Sequence, residues 1–462
     1  MVMDGQASGK AYDHVKGWVL NEEAPATSHE AKAPYIDNGT GPIAPERYID
    51  PAVMKAEWTA LWTRTWLLAG RVSDLAEPGD FFRFDIATES IIVVRTTSGA
   101  IRAHFNVCQH RGTRLVTSDF GSVAKFRCLY HSWAWTLDGE IAEVTDRETF
   151  RPEALAGSLD LPSVRCDTWG GFVFVCLDDK VPPLAEFLSV LPEHLAAYRL
   201  EEMVTVKDVE VEWPANWKTV VDAFLESYHV HAVHPEILPF YDDYHQQWDL
   251  YDNGMSRMLM MFASVSPRHH EKDAVNPVLA AMLAEVGIDP DGFSGGAGAV
   301  REAIQQGKMA LPDRLSIDIG GFVPNQMTDD WAYFAFPNVT FNIHPEGALV
   351  QRFRPHPSDP ERMIYDVTVL VHPIHDPSIK IPGYMGVNEG TDCSGATRPE
   401  RRYLTPGDGG VGPVLEQDGV MIPFVQKGMH SMGFKGARLS EQEQRVRHFH
   451  TEVDRYLAGA KW

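Results

Sequence analysis

The chain has 462 residues, 44% hydrophobic and 23% charged, an ordinary balance for a globular protein and enough length for two or three domains. Its 41 basic and 64 acidic residues leave a formal net charge of −23, which argues against nucleic acid or an anionic membrane as the main partner. No apolar run is long enough to span a membrane, the N-terminus lacks an apolar signal segment, and five scattered cysteines make no disulfide framework; a reducing, cytoplasmic setting is expected.

In chain order, residues 1–45 read as a polar arm. Met54, Trp58, Leu61, Trp62 and Trp66 are spaced for one buried helical face. Short runs of β formers follow, FFRFDI (81–86), SIIVVRT (90–96) and IRAHFNV (101–107), separated by turn residues. VRCDTWGGFVFVCLDD (164–179) reads as a buried strand with Cys166 and Cys176 as small hydrophobes, and Pro182-Pro183 as a boundary. This gives a β-rich domain over 46–178 and a larger one over 179–462. The latter holds a helix near 184–199, a strand at 204–214, a helix from Asn216, helical segments over 273–315 and successive strands from Trp331 to His372. The fold class is α+β, with an antiparallel sheet flanked by helices in the larger domain. MSRMLMMF (255–262) reads as core packing before pocket wall. GGAGA (295–299) is excluded as a phosphate cradle for want of a preceding strand and a lysine. Residues 373–413 form a long loop, and 439–459 a charged amphipathic helix opened by a Ser440–Glu443 capping box, with His448 and His450 on a surface or interface.

Two constellations carry chemistry. The first is Cys108-Gln109-His110-Arg111-Gly112, followed, with a gap of seventeen residues between His110 and Cys128, by Cys128-Leu129-Tyr130-His131-Ser132-Trp133. Two Cys and two His could hold a structural zinc ion. Each half, however, gives one Cys and one His from a β-rich loop, which suits a [2Fe–2S] cluster with one iron on two thiolates and the other on two imidazoles. The second is NWKTVVDAFLESYHVHAVHP (216–235). Glu226 and His229 are three apart and share a helical face. His229 and His234 are five apart and reach one metal only if the helix loosens or ends between them, and Pro235 disfavours helix directly after. Two His and a carboxylate make the open-sided site of non-haem iron oxygenases. His231 competes with His229.

With these motifs in view, the chain resembles the Rieske non-haem iron oxygenases, as the large, alpha subunit of the aromatic ring-hydroxylating type. CQHRG and CLYHSW resemble that family's C-x-H-R-G and C-P-Y-H-G-W, with Leu129 and Ser132 in place of Pro and Gly. The resemblance implies cluster ligands Cys108, His110, Cys128 and His131, and a mononuclear Fe(II) held by His229 and His234. It implies Glu226 as the bridging carboxylate, usually Asp, that links the iron to a cluster across a subunit boundary; some members acting on quaternary amines carry Glu here. LEQD (415–418) ahead of VQKG (425–428) resembles the segment supplying the third ligand, assigned to Asp418 with Glu416 as runner-up. Asn216, in the N-W-K match, implies a supporting role near the iron, and Phe224 and Leu225 flank the pocket. The implied activity is O₂-dependent hydroxylation, expected as cis-dihydroxylation of an aromatic substrate in aromatic hydrocarbon catabolism. The alternative is monooxygenation, including demethylation of a methylated amine or ether. An electron-transfer Rieske protein fits less well with the long second ligand domain. The implied partners are a reductase or ferredoxin passing electrons from NAD(P)H, two further copies of the chain in a homotrimer, and a small beta subunit in some assemblies.

Overall fold

The computed structural model describes residues 18–20, 24–26, 28–309, 318–374, 386–388 and 390–462. The head of the arm (1–17), the end of the helical stretch (310–315) and part of the long loop (375–385) lie outside the described residues. The chain divides into two compact units, Glu57–Phe187 with the last two residues, and the residues up to Ala56 with Leu188–Ala460. The expected boundaries at 45/46 and 178/179 each fall about ten residues earlier than those divisions. No helix among the described residues is long and apolar enough to cross a membrane.

The smaller unit is built from β1 (Leu67–Arg71), β2 (Asp80–Ile86), β3 (Glu89–Arg95), β4 (Ile101–Phe105), β5 (Phe120–Ser122), β6 (Phe126–Arg127), β7 (Ala134–Trp135), β8 (Ile141–Glu143), β9 (Ser163–Trp169) and β10 (Phe172–Cys176). Seven form an antiparallel sheet in the order β1-β10-β9-β4-β3-β2-β5, and β6-β7-β8 form a small second sheet. FFRFDI and SIIVVR pair from Phe81↔Val94 to Ile86↔Glu89, as β-branched and aromatic runs flanking a tight turn should. A core of Phe81, Phe126, Trp133 and Trp135 packs around Cys108 and Cys128. Cys166 and Cys176 lie on β9 and β10, where burial pushes their thiols up to about 12 and 11, which suits packing rather than ligation.

The larger unit centres on an eight-stranded sheet of β11 (Val204–Trp213), β12 (Tyr241–Leu250), β13 (Ser256–Phe262), β14 (Asp330–Ala335), β15 (Val339–His344), β16 (Gly347–Pro355), β17 (Met363–Val371) and β18 (Arg402–Leu404), in the order β12-β13-β14-β15-β16-β17-β11-β18. Every pairing is antiparallel except β11 with β18. Because successive side chains alternate, β16 and β17 have two characters. Phe353 and Tyr365 face α1 (Trp217–Phe224), with Phe224 5.5 and 5.9 Å from their rings. On the other face Asp366 accepts from Arg352 Nε at 2.9 Å and Arg354 Nε at 2.7 Å, and Arg354 reaches Glu210 on β11. Burial opposes the charge on Asp366, but the two guanidiniums outweigh it and hold the carboxyl well below the usual carboxylate range. Three further helices matter below: α2 (Val230–Val233), α3 (Pro413–Gly428) and α4 (Gln444–Leu457). The expected Ser440–Glu443 capping box is present just before α4.

Two residues differ from the sequence reading. His448 and His450, expected on a surface or interface, are buried within the chain's own fold. His448 Nε2 donates to Tyr251 O at 2.8 Å, and Asp222 accepts from His450 Nε2 at 3.0 Å and from the Tyr48 hydroxyl at 2.6 Å. Charge density along α4 suggested solvent, whereas partners on other elements bind the Nε2 of each ring inside. The ladder on β16 and β17 makes Asp366 a keystone: Asp366→Ala removes the carboxylate that two buried guanidiniums share and is expected to cost about 3–5 kcal/mol, read as a lowered urea midpoint.

Candidate functional site

The cluster loops are near-copies of each other. Cys108 N–H donates to Thr113 O at 2.8 Å and Gly112 N–H returns to Cys108 O at 3.0 Å; Cys128 N–H donates to Trp133 O at 2.9 Å and Ser132 N–H returns to Cys128 O at 3.0 Å. Both turns need a left-handed residue, supplied by Gly112 (φ 76°) and, unusually for a residue with a Cβ, by Ser132 (φ 64°). Backbone N–H groups of His110 and Arg111 aim at the Cys108 sulfur, and those of Tyr130 and His131 at the Cys128 sulfur. Burial pushes the Cys108 thiol up with the Cys128 thiol beside it, while the amides of Tyr130 and His131 outweigh burial and bring Cys128 down. His110 stacks on Trp133 at 5.0 Å, and its ring lies 4.6 Å from that of His131. Burial, with His131 and Arg111 nearby, lowers the His110 imidazole and favours its neutral form.

The Nδ1 atoms of His110 and His131 are both buried without a hydrogen-bond partner. Two orphaned imidazole nitrogens beside two sulfurs cradled by amides fit a cluster bound by two thiolates and two imidazoles.

In the larger unit, Asn216 caps α1 by accepting from Lys218 N–H at 2.9 Å, and its amide donates to Pro360 O at 2.7 Å. Both ends of that side chain serve the helix start, and Asn216 is not among the cavity-lining residues. Helix α1 stops at Phe224, before rather than after His229. A non-helical turn follows, and α2 is a single turn with His229 and His234 as its two caps. That brings the pair to a ring separation of 5.3 Å. Asp418, on α3, completes the group: one ligand atom from each of His229, His234 and Asp418 lies within 4.8 Å of the others. His231 is exposed, and Glu416 accepts from Val411 N–H at the start of α3.

The tautomers follow from the outer contacts. His229 Nδ1 donates to Glu226 Oε1 at 2.6 Å, and Glu226 Oε2 accepts the His229 backbone N–H at 3.1 Å. His234 Nδ1 donates to Gln417 Oε1 at 2.5 Å. With protons on both Nδ1 atoms, the Nε2 atoms face Asp418 Oδ1 at 3.6 and 3.1 Å. Three such atoms around one space draw in positive charge, as a proton or as a metal ion. For His229, burial acts downward, but the charges of Glu226 and Asp418 outweigh it and raise the imidazole to about 9. The site attracts positive charge, and its donor set fits Fe(II). Gln426 ties α3, which carries Asp418, to α1, accepting at Oε1 from Asn216 N–H (2.9 Å) and Thr219 Oγ1 (2.8 Å).

These groups open into a cavity of about 130 Å³ with mostly apolar walls. Phe224 lines it, while Leu225 is fully buried in the core. The Met-rich strand is wall as well as core: Met258, Met260 and Phe262 face the cavity. Gln417 and Gln426 were missed as positioning residues; adjacency to Asp418 and the V-Q pair of the motif were the available signals.

The profile of the family described as ring hydroxylating alpha subunit (catalytic domain) matches residues 200–459, and that of the Rieske [2Fe-2S] domain matches 65–161. The oxygenase subunit of glycine betaine monooxygenase from Chromohalobacter salexigens is 35% identical over 191 residues, 41% of this chain and 42% of that protein. The oxygenase subunit of carnitine monooxygenase from Escherichia coli K12 is 30% identical over 217 residues, 44% of this chain and 56% of that protein. The matched stretch thus spans about half the length of these curated relatives. A quaternary ammonium Rieske monooxygenase solved with L-carnitine has the same fold, with a TM-score of 0.63, 18% identity, and coverage of 94% of this chain and 99% of that one.

Two substitutions probe this geometry. Gln417→Ala frees His234 Nδ1 and is expected to weaken iron retention about 10- to 100-fold, measured as iron content after dialysis against a chelator. Ser132→Gly removes left-handed strain and is expected to stabilise the cluster loop by ~1 kcal/mol, read as a higher melting temperature of the cluster absorbance.

Proposed function

Because this chain belongs to the ring hydroxylating alpha-subunit family, we propose that it is the oxygenase component of a Rieske monooxygenase that demethylates a methylated amine. The observation that carries the oxygenase reading is the convergence of two histidine lone pairs and one carboxylate oxygen on the wall of an apolar cavity. The amine reading is supported by the glycine betaine and carnitine relatives and by the glutamate at position 226. Aromatic walls from Phe224, Phe240, Tyr241 and Phe262 also suit a cation. Cis-dihydroxylation of an aromatic ring is the second reading, supported by the resemblance of the HSMGFKG segment (430–436) to the large subunits of that class.

In this reading Cys108, Cys128, His110 and His131 would hold the cluster, and His229, His234 and Asp418 the iron. When bound, these groups supply electrons and O₂ activation. The chain's own part is orientation and exclusion. Glu226 and Gln417 keep protons on the outer nitrogens, so that Nε2 of each histidine stays an acceptor. The longer glutamate also reaches back to the His229 backbone N–H, tying the ligand turn to its own carboxylate. The apolar walls keep bulk water from the reacting face. Proposed partners are a reductase or ferredoxin passing electrons from NAD(P)H, and two further copies of the chain.

The stoichiometry tests the reaction: with a methylated amine, one oxygen atom enters the methyl carbon, the other leaves as water, and two electrons are consumed per formaldehyde. A single turnover of reduced holoenzyme under labelled O₂ is expected to release formaldehyde from the amine. A diol bearing two labelled oxygens from an aromatic substrate would favour the second reading. Asp418→Ala is expected to lose the iron and the product while keeping the visible spectrum of the cluster.

A further inference from the structure

The cavity beside the iron ligands contains a carboxylate that neither metal site uses. Asp330 sits on β14, on the face shared with Ala332, Asn342 of β15 and Leu349 and Gln351 of β16, all of which line the cavity. It is buried, at 4% exposure. Its Oδ2 accepts from Asn342 Nδ2 at 2.8 Å, and Asn342 Oδ1 accepts in turn from Gln351 Nε2 at 3.1 Å. Its Oδ1 is buried and has no hydrogen-bond partner, while the backbone N–H of Ile343 also acts on the carboxyl.

Among the described residues no Lys or Arg forms an ion pair with it; Arg445 is a charge at longer range. His344 Nε2 lies 3.9 Å from Oδ1, but burial lowers that imidazole to about 3, so it carries no charge. Arg445 acts on Asp330 only at longer range and donates its Nε–H to Ser256 Oγ at 3.0 Å. Burial pushes the Asp330 carboxyl up to about 7, the behaviour of an acid waiting for a counter-ion. The other carboxylates of the cavity, Glu226 and Asp418, are taken up by the two histidines. Among the described residues the cavity wall has no Lys or Arg, so no such side chain there would pair with a carboxylate on the substrate.

We propose that Asp330 recognises the substrate's nitrogen: its free Oδ1 accepts an N–H from a protonated methylated amine that carries no carboxylate. This rests on the amine reading above and narrows it. A charge-assisted hydrogen bond forms at Oδ1, aromatic faces contact the N-methyl groups, and a zwitterion with its own carboxylate is disfavoured. A quaternary ammonium brings charge but no N–H.

The test measures calorimetric dissociation constants on the holoenzyme for three probes of similar size at pH 8: N,N-dimethylbutylamine, butyltrimethylammonium and the neutral N,N-dimethylbutanamide. The expected order is protonated dimethylbutylamine tightest, and at least about tenfold tighter than the amide. Asp330→Asn should bring the two within about threefold while iron content stays the same. Wild-type enzyme that binds the amide as tightly as the amine overturns the proposal without recourse to a variant. So does a preference that survives in Asp330→Asn, or tighter binding of the quaternary probe. Formaldehyde release from each probe is scored separately: a charge preference without formaldehyde would fault the demethylation reading and leave Asp330 standing, whereas formaldehyde without a charge preference would do the reverse.

Discussion

Three acceptor atoms held against one another organise the larger unit. Nε2 of His229, Nε2 of His234 and Oδ1 of Asp418 share a space of 4.8 Å, and the Nδ1 of each histidine is engaged by a partner behind it. Such an arrangement favours a positive charge in its midst, and a metal ion there competes with a proton on His229. Much of the surrounding structure serves to prevent the three from drifting apart. The asparagine cap fixes where α1 begins, the one-turn α2 fixes the spacing of the histidines, and Gln426 ties α1 to the helix that carries Asp418. Behind α1, Asp222, Tyr48 and His450 form a second hydrogen-bonded group that anchors the same helix from its other side.

The smaller unit solves a related problem by repetition. Two loops with the same internal hydrogen bonds each present one sulfur and one imidazole, and each sulfur meets a pair of backbone amides. Because the donors are main chain, side-chain changes at Leu129 leave the sulfur environment intact. Ser132 is different, since its φ is set by the turn and not by its side chain.

Motifs whose spacing is local were legible before the fold. The paired Cys and His loops, the helix from Asn216 and the alternating strands announce themselves by residue type and period. Asp330 did not, because it lies in the continuous run DDWAYFA, all of it buried, where periodicity gives no sign of which face meets a cavity. Its neighbour Asp329 is bound by Arg301, at distances down to 2.7 Å, and the two are indistinguishable in the sequence. The Met-rich strand is ambiguous for the same reason. His448 and His450 were misplaced because polarity along one helix says nothing about partners such as Tyr251 and Asp222, which are about two hundred residues away in the chain. The break of α1 before His229 was also hidden: Pro235 marks where α2 must end, but no residue at 225–228 is a strong breaker.

The alternation of β16 and β17 has a bearing on how such a chain can diverge. Odd-numbered positions such as Leu349 and Gln351 shape the cavity, while Arg352, Arg354 and Asp366 on the reverse face form the charge ladder. Substitution at the odd positions can therefore re-line the cavity without disturbing the electrostatics that secure the strands. Insertion or deletion of one residue cannot, since it would turn charges toward the cavity and apolar groups toward the ladder. The sheet thus separates two kinds of inheritance: its length is frozen by one face, and its chemistry is left free to drift on the other.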